Sequence, residues 1–212
     1  MTDDLIDRLS RNLRPAPRGA VARRLALAVA LGLAVSLAGV ALSLGLRPDF
    51  SLAMTSRMFW MKLAYAGGYA AVGVFCVERL ARPVGAAGGR LRWLAVPVIL
   101  IAVLAVLQMA RTPAPEMRAM VMGHSAMVCP WFIAATSAPL LVALIWAVRG
   151  LAPTQLRLAG ALLGLTAGGF GALIYCLHCP EVGAPFVAIW YSLGMLIPCA
   201  IGALVGPRLL RW

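Results

Sequence analysis

Charge is scarce in this chain. Only 7 of its 212 residues are acidic, and 12% carry any charge at all. Several familiar sites are missing too. There is no Gly-rich phosphate loop, no His-Glu-x-x-His pair and no serine nucleophile elbow, so the usual motifs for phosphate, zinc or acyl chemistry are absent. No Asp, Glu, Arg or His falls in the middle of a long apolar run, where ion carriers and proton-coupled transporters keep one. Conventional catalysis is not expected, and the chain reads as a non-enzyme. It shows no convincing internal repeat.

What abounds is apolar. The chain is 62% hydrophobic with a mean hydropathy of +0.90. A water-soluble domain cannot hide that much apolar surface, so the expected solvent is lipid. A hydrocarbon core of about 30 Å takes roughly 20 residues per helix. Six runs fit, at 22–46, 58–78, 91–110, 128–148, 156–178 and 186–206. The first is too long for the apolar part of a signal peptide and is expected to be retained. The predicted fold class is therefore an all-α integral membrane protein, a six-transmembrane-helix bundle over 21–212. Residues 1–20 stand outside it.

The net charge of +12 is a topology signal rather than a nucleic-acid footprint. Of the 19 basic residues, Arg47, Arg57, Lys62, Arg111 and Arg118 fall on one face and the other fourteen on the opposite one. The positive-inside rule puts both termini in the cytoplasm, in the inner membrane of a bacterium. Lys62, close to the outer end of the second run, is expected to snorkel outward.

Residues 1–20 form an amphipathic segment. Thr2 is an N-cap candidate, followed by Asp3 and Asp4, which suit a helix start. Leu5, Ile6, Leu9 and Leu13 share one stripe, and Pro15 and Pro17 end the pattern. About three turns are marginal alone in water. The stripe suits either the inner leaflet or a groove on a soluble partner. The acidic start, ill placed against anionic lipid, favours the partner.

The remaining chemistry gathers around Tyr175-Cys-Leu-His-Cys-Pro-Glu181 and an earlier Cys129-Pro130. The fourth run begins at the outer surface and the fifth ends there. A short inner turn, Arg149 to Pro153, joins them, so they are expected to be antiparallel neighbours with Cys129 and Cys179 at one depth. A helix N-terminus lowers a thiol pKa, which favours Cys129 as the thiolate. Pro180 is expected to stop the fifth helix at Cys179. Two chemistries stay open, a Cys129–Cys179 bridge or a shared soft metal ion. For the metal, the same face offers His124, His178, Cys176, Glu181, Met120 and Met122, and eight of the ten methionines lie near it. Thioether with thiolate suits Cu(I) and similar ions. No permanent cofactor is implied. Cys76 and Cys199 read as small packing residues.

Two features together resemble the NrsF-type membrane anti-sigma factors, negative regulators of an extracytoplasmic-function sigma factor. One is Thr2-Asp-Asp-Leu-Ile-Asp-Arg-Leu9 followed by Leu13-Arg14-Pro15. The other is six spans bearing His124, Cys129-Pro130 and His178-Cys179-Pro180-Glu181, then Pro185-Phe-Val-Ala-Ile-Trp190. The resemblance implies that the N-terminal segment docks the sigma factor through Leu5, Ile6, Leu9 and Leu13. It also implies that Cys129 and Cys179 sense heavy metal or oxidative stress, so that 21–212 is a sensor domain. Two rival readings have footholds. Cys176-Leu-His-Cys179 imitates the Cys-x-x-Cys of a membrane thiol–disulfide oxidoreductase, and the Met/Cys/His face imitates the mouth of a small metal-ion permease.

Overall fold

The computed structural model describes residues 19–45, 47–81, 88–151 and 153–211. The predicted docking residues Leu5, Ile6, Leu9 and Leu13 lie outside them. Six helices are long and apolar enough to cross a membrane: α1 (Ala20–Ser43), α3 (Arg57–Leu80), α4 (Gly88–Arg111), α6 (Cys129–Val148), α7 (Leu156–Tyr175) and α8 (Ala184–Leu209). Two short helices, α2 (Phe50–Thr55) and α5 (Ala114–Met122), lie at the end of the bundle where α1 and α4 finish. No strand occurs among the described residues.

The six expected spans are all present, with their ends shifted by a few residues. The largest shift is at α7, which stops at Tyr175 rather than running on to Cys179. The last turn tightens: His178 N–H and Cys179 N–H both donate to the Tyr175 carbonyl, at 3.0 and 2.9 Å. Such tightening is a common way for a helix end to satisfy its carbonyls. An extended stretch then carries the chain through Pro180 to Gly183. The exposed indoles of Trp60 and Trp131 sit at this end, and those of Trp93 and Trp146 at the other. An exposed tryptophan pair thus stands at each end of the bundle.

The centre of the bundle is α7. Of its most apolar stretch 72% is buried in the protein, against 17% for α4, which packs at the edge. Lipid tails are as apolar as leucine, so helices in a membrane gain little by hiding hydrophobic surface from each other and must associate by close packing. Glycine makes that possible here. A Cβ on Gly160 would strike the Gly202 carbonyl of α8, and one on Gly164 would strike the carbonyl of Pro198. On another face, a Cβ on Gly171 would strike the Ser137 hydroxyl of α6. With no side chain between them, α7 and α8 meet backbone to backbone. The few polar side chains inside bond locally. The Ser36 hydroxyl donates to the Thr136 carbonyl at 2.8 Å, and the Tyr65 and Ser192 hydroxyls meet at 2.6 Å.

This packing has a measurable consequence. Gly164→Val forces a branched side chain onto immovable backbone, an overpacking that costs about 1–3 kcal/mol or more. It should lower the melting temperature of the detergent-solubilised protein by several degrees. Gly39→Val, where nothing lies within 4 Å of the new carbon, should leave it unchanged. Equal melting of the two variants would contradict the close-packed α7–α8 seam.

Candidate functional site

The two cysteines expected to meet do meet. Cys129 is the first residue of α6, its N–H donating to the Ser125 carbonyl at 2.8 Å, with Pro130 directly after it where no partner for an N–H is needed. Cys179 ends the tightened turn after α7. The two thiols are hydrogen-bonded to each other, both fully buried, and both free of a disulfide. Cys179 accepts this bond from Cys129. That contact, helped by the charge of Lys62 and opposed by burial, pulls its pKa down to about 6. The expectation that Cys129 is the thiolate is therefore reversed. The reason is local: Cys129 is the donor of the pair, so the negative charge is stabilised on Cys179.

Cys176 also lies here, fully buried, its thiol pushed up to about 12 chiefly by desolvation. A π-helical turn, Val187–Tyr191, opens α8 and delivers Tyr191 into the same pocket of sulfur. Its hydroxyl is fully buried and lies against the thiols of Cys176 and Cys179. The Cys176-x-x-Cys179 spacing does not make these two the contacting pair; the partner of Cys179 is Cys129.

The correction that matters most concerns Lys62. It does not snorkel: it is completely buried, and its ammonium donates to the Cys179 carbonyl at 3.0 Å and the Glu181 carbonyl at 2.6 Å. A second cation joins it from the turn after α1. Arg47 is 8% exposed and donates Nη1 to the same Cys179 carbonyl at 3.3 Å, while its main-chain N–H donates to the Leu177 carbonyl at 3.2 Å. Asp49 holds the other side of the guanidinium in a two-pronged contact, 2.7 Å to Nε and 2.6 Å to Nη2. The physical cause is the broken backbone. Pro180 and the extended stretch leave carbonyls at 177, 179 and 181 without helical donors, and a buried carbonyl must find one.

The other predicted metal ligands are spread out. His178 turns away from the thiols and donates Nδ1–H to the Gly45 carbonyl at 3.0 Å. Glu181 is a loop clamp: its Oε1 accepts from His124 N–H at 2.7 Å, Ser125 N–H at 3.1 Å and the Ser125 hydroxyl at 3.2 Å. Gly123, at φ +51°, must be glycine beneath it, because a Cβ there would collide with the Glu181 carboxylate. The His124 ring is fully exposed, 3.8 Å from that carboxylate. Met120, His124 and Glu181 line an open cleft of about 420 Å³ apart from the buried thiols. Met122 is exposed at the surface. Among the described residues no three His, Cys, Asp or Glu side chains are grouped to hold a metal ion. What the site can do rests on the sulfur pair: two thiols in contact can lose two electrons and two protons to become a disulfide, or bind one soft ion between two thiolates.

A family model described as "Negative regulator of sigma F", NrsF, matches residues 9–212, which include all six long helices and both cysteines. The chain belongs to the NrsF family. It is 39% identical over 215 residues to the "Probable anti-sigma-F factor NrsF" of Azospira oryzae, an alignment covering 100% of this chain and 99% of that protein. It is 40% identical over 214 residues to the "Anti-sigma-F factor NrsF" of Caulobacter vibrioides, with the same coverage of each. No solved structure matches. The family that the N-terminal segment and the Cys-Pro motifs of the six spans resemble is the one found.

Lys62, Arg47 and Tyr191 are the site residues that pattern reading passed over. Only Lys62 carried a signal in the sequence, as the one lysine of the chain and within an apolar run. Its role gives a pH prediction. Small-reagent alkylation of Cys179 should switch on as pH rises through about 6. In Lys62→Met the midpoint should move up toward the ordinary thiol value of about 8.5, slowing the reaction at pH 7 by roughly tenfold. Peptide mapping by mass spectrometry reads the modified residue, and an unmoved midpoint would remove Lys62 from the site.

Proposed function

We propose that this protein is a membrane-bound anti-sigma factor. It holds an extracytoplasmic-function sigma factor through its N-terminal segment and releases it when the Cys129/Cys179 pair is modified. The observation that carries the reading is the buried contact between these two thiols, in a family named for negative regulation of sigma F. A polarised thiol pair is a reactive device, with Cys179 as nucleophile and Cys129 as the group that completes a bridge or shares an ion.

The signal in this reading is a soft or heavy metal ion, or an oxidant. A soft ion would be held by the two sulfurs, and an oxidant would take two electrons from them. Orientation follows from the arginines: their crowded end faces the cytoplasm of a bacterial inner membrane, and the thiols face the periplasm, where disulfides persist. The sigma factor is then met by residues 1–20, with Leu5, Ile6, Leu9 and Leu13 buried in its groove. Burying one leucine is worth about 1.5–3 kcal/mol. The sigma factor, not this chain, handles DNA.

Two measurements test the two halves separately. Full-length Leu5→Asp and Leu9→Asp proteins should each retain at least about tenfold less sigma factor on affinity capture, given the burial energies above. In cells carrying a sigma-dependent reporter, Cys129→Ser and Cys179→Ser should give an output that no longer rises with cadmium or a peroxide. Wild-type induction in both cysteine variants would end the sensing role.

A further inference from the structure

The helix that leads out of the N-terminal segment is fastened to both halves of the thiol pair. The outer end of α1 is tied to the Cys179 segment by three contacts. Arg47 N–H donates to Leu177, the Arg47 guanidinium to Cys179, and His178 Nδ1–H to the Gly45 carbonyl. The body of α1 is tied instead to α6, the helix that Cys129 begins. Gly32 lets α1 lie directly on Leu140, where a Cβ would come within 2.8 Å of the Leu140 main chain. The Ser36 hydroxyl donates to Thr136, and Arg24 near the inner end donates to the carbonyls of Trp146 and Arg149 at 3.3 and 3.2 Å. Only 28% of the apolar stretch of α1 is buried, so these ties count for much of what holds it.

From this arrangement we infer that Arg47 is the coupling residue of the protein: it makes the position of α1 depend on the separation of Cys179 from Cys129. The inference rests on the sensing role proposed above and says how that role reaches the N-terminal segment. A hydrogen-bonded thiol pair is longer than a disulfide, whose sulfurs are about 2.05 Å apart with a fixed dihedral near 90°. Closing the bridge draws the 177–179 segment toward the start of α6. The carbonyl of Cys179 moves with it, and the guanidinium bonded to that carbonyl is pre-aimed by Asp49, so it cannot follow by swinging freely. The strain is relieved by moving the outer end of α1 against α6, along contacts that end at Arg24, just after the docking segment. Lys62 grips the same carbonyl from α3, a helix with no direct path to the N-terminus.

The test uses full-length protein in lipid nanodiscs with its sigma factor bound. The oxidant is diamide, which takes up two electrons and two protons as the two thiols become one disulfide. Disulfide formation is read by mass spectrometry and sigma release by size exclusion, on the same sample. In wild type the two should rise together. In Arg47→Gln, and in Asp49→Asn, which leaves the arginine but frees it, the disulfide should still form while release falls at least about fivefold, the low end of usual coupling strengths. Release in step with oxidation in both variants would overturn the inference. Release by Cys179→Ser on diamide, or none by fully oxidised wild type, would instead overturn the sensing role beneath it.

Discussion

Everything at the thiol end depends on a shortage of hydrogen-bond donors. Where α7 breaks off at Tyr175, the chain runs irregularly through Pro180, and the carbonyls of Leu177, Cys179 and Glu181 point into protein without helical partners. Irregular backbone at membrane depth survives only if the protein satisfies it. Here an ammonium and a guanidinium do so, supplied by α3 and by the turn after α1. The exchange is reciprocal. A buried lysine without acceptors is costly, and buried carbonyls without donors are costly, but together they offset one another. The clamp thereby fixes Cys179 in space, and only then can its sulfur meet that of Cys129.

The clamp leaves Lys62 in an unusual electrical position. Among the described residues it forms no ion pair, and the nearby carboxylates are engaged elsewhere: Asp49 by Arg47, Glu181 by the loop at His124 and Ser125. Its positive charge therefore acts on the thiols. It acts on both, and the acidic member is Cys179 because the Cys129 thiol donates to it, although Cys129 sits at a helix N-terminus. A direct hydrogen bond to the charged form outweighs the fractional charge of a helix end.

How much of this was legible in the sequence depended on how local each cause is. Span number and approximate limits follow from runs of apolar residues, and all six were found. The meeting of Cys129 and Cys179 follows from a short turn between two spans, again a local fact. The fate of Lys62 does not. A lysine five residues inside an apolar helix reads as a snorkel, since its stem is long enough to reach water. What overrides that is a set of free carbonyls 117 and 119 residues further along the chain, created by a helix that stops at Tyr175, short of the Cys179 limit that Pro180 sets. The spread of the metal-ligand candidates has the same origin. His124, His178 and Glu181 lie at one surface as expected, yet each is committed to a loop or a carbonyl that composition does not reveal.

The pairing of a rigid seam with a loosely held helix decides which part of such a bundle can move. The α7–α8 seam is backbone against backbone, so neither helix can slide without carbonyl colliding with Cα. A close-packed interface of that kind has one arrangement, and a displacement begun at the thiols is not absorbed there. Helix α1 is the opposite case: much of its surface faces outward, one glycine and one serine anchor its middle, and polar contacts hold its two ends. Hydrogen bonds at the ends of a helix can be exchanged for others at small net cost, about 0.5–1.5 kcal/mol each. Of the helices touching the thiol site, α1 is thus the one able to adopt a second position. It is also the one whose first turn follows directly on the N-terminal segment.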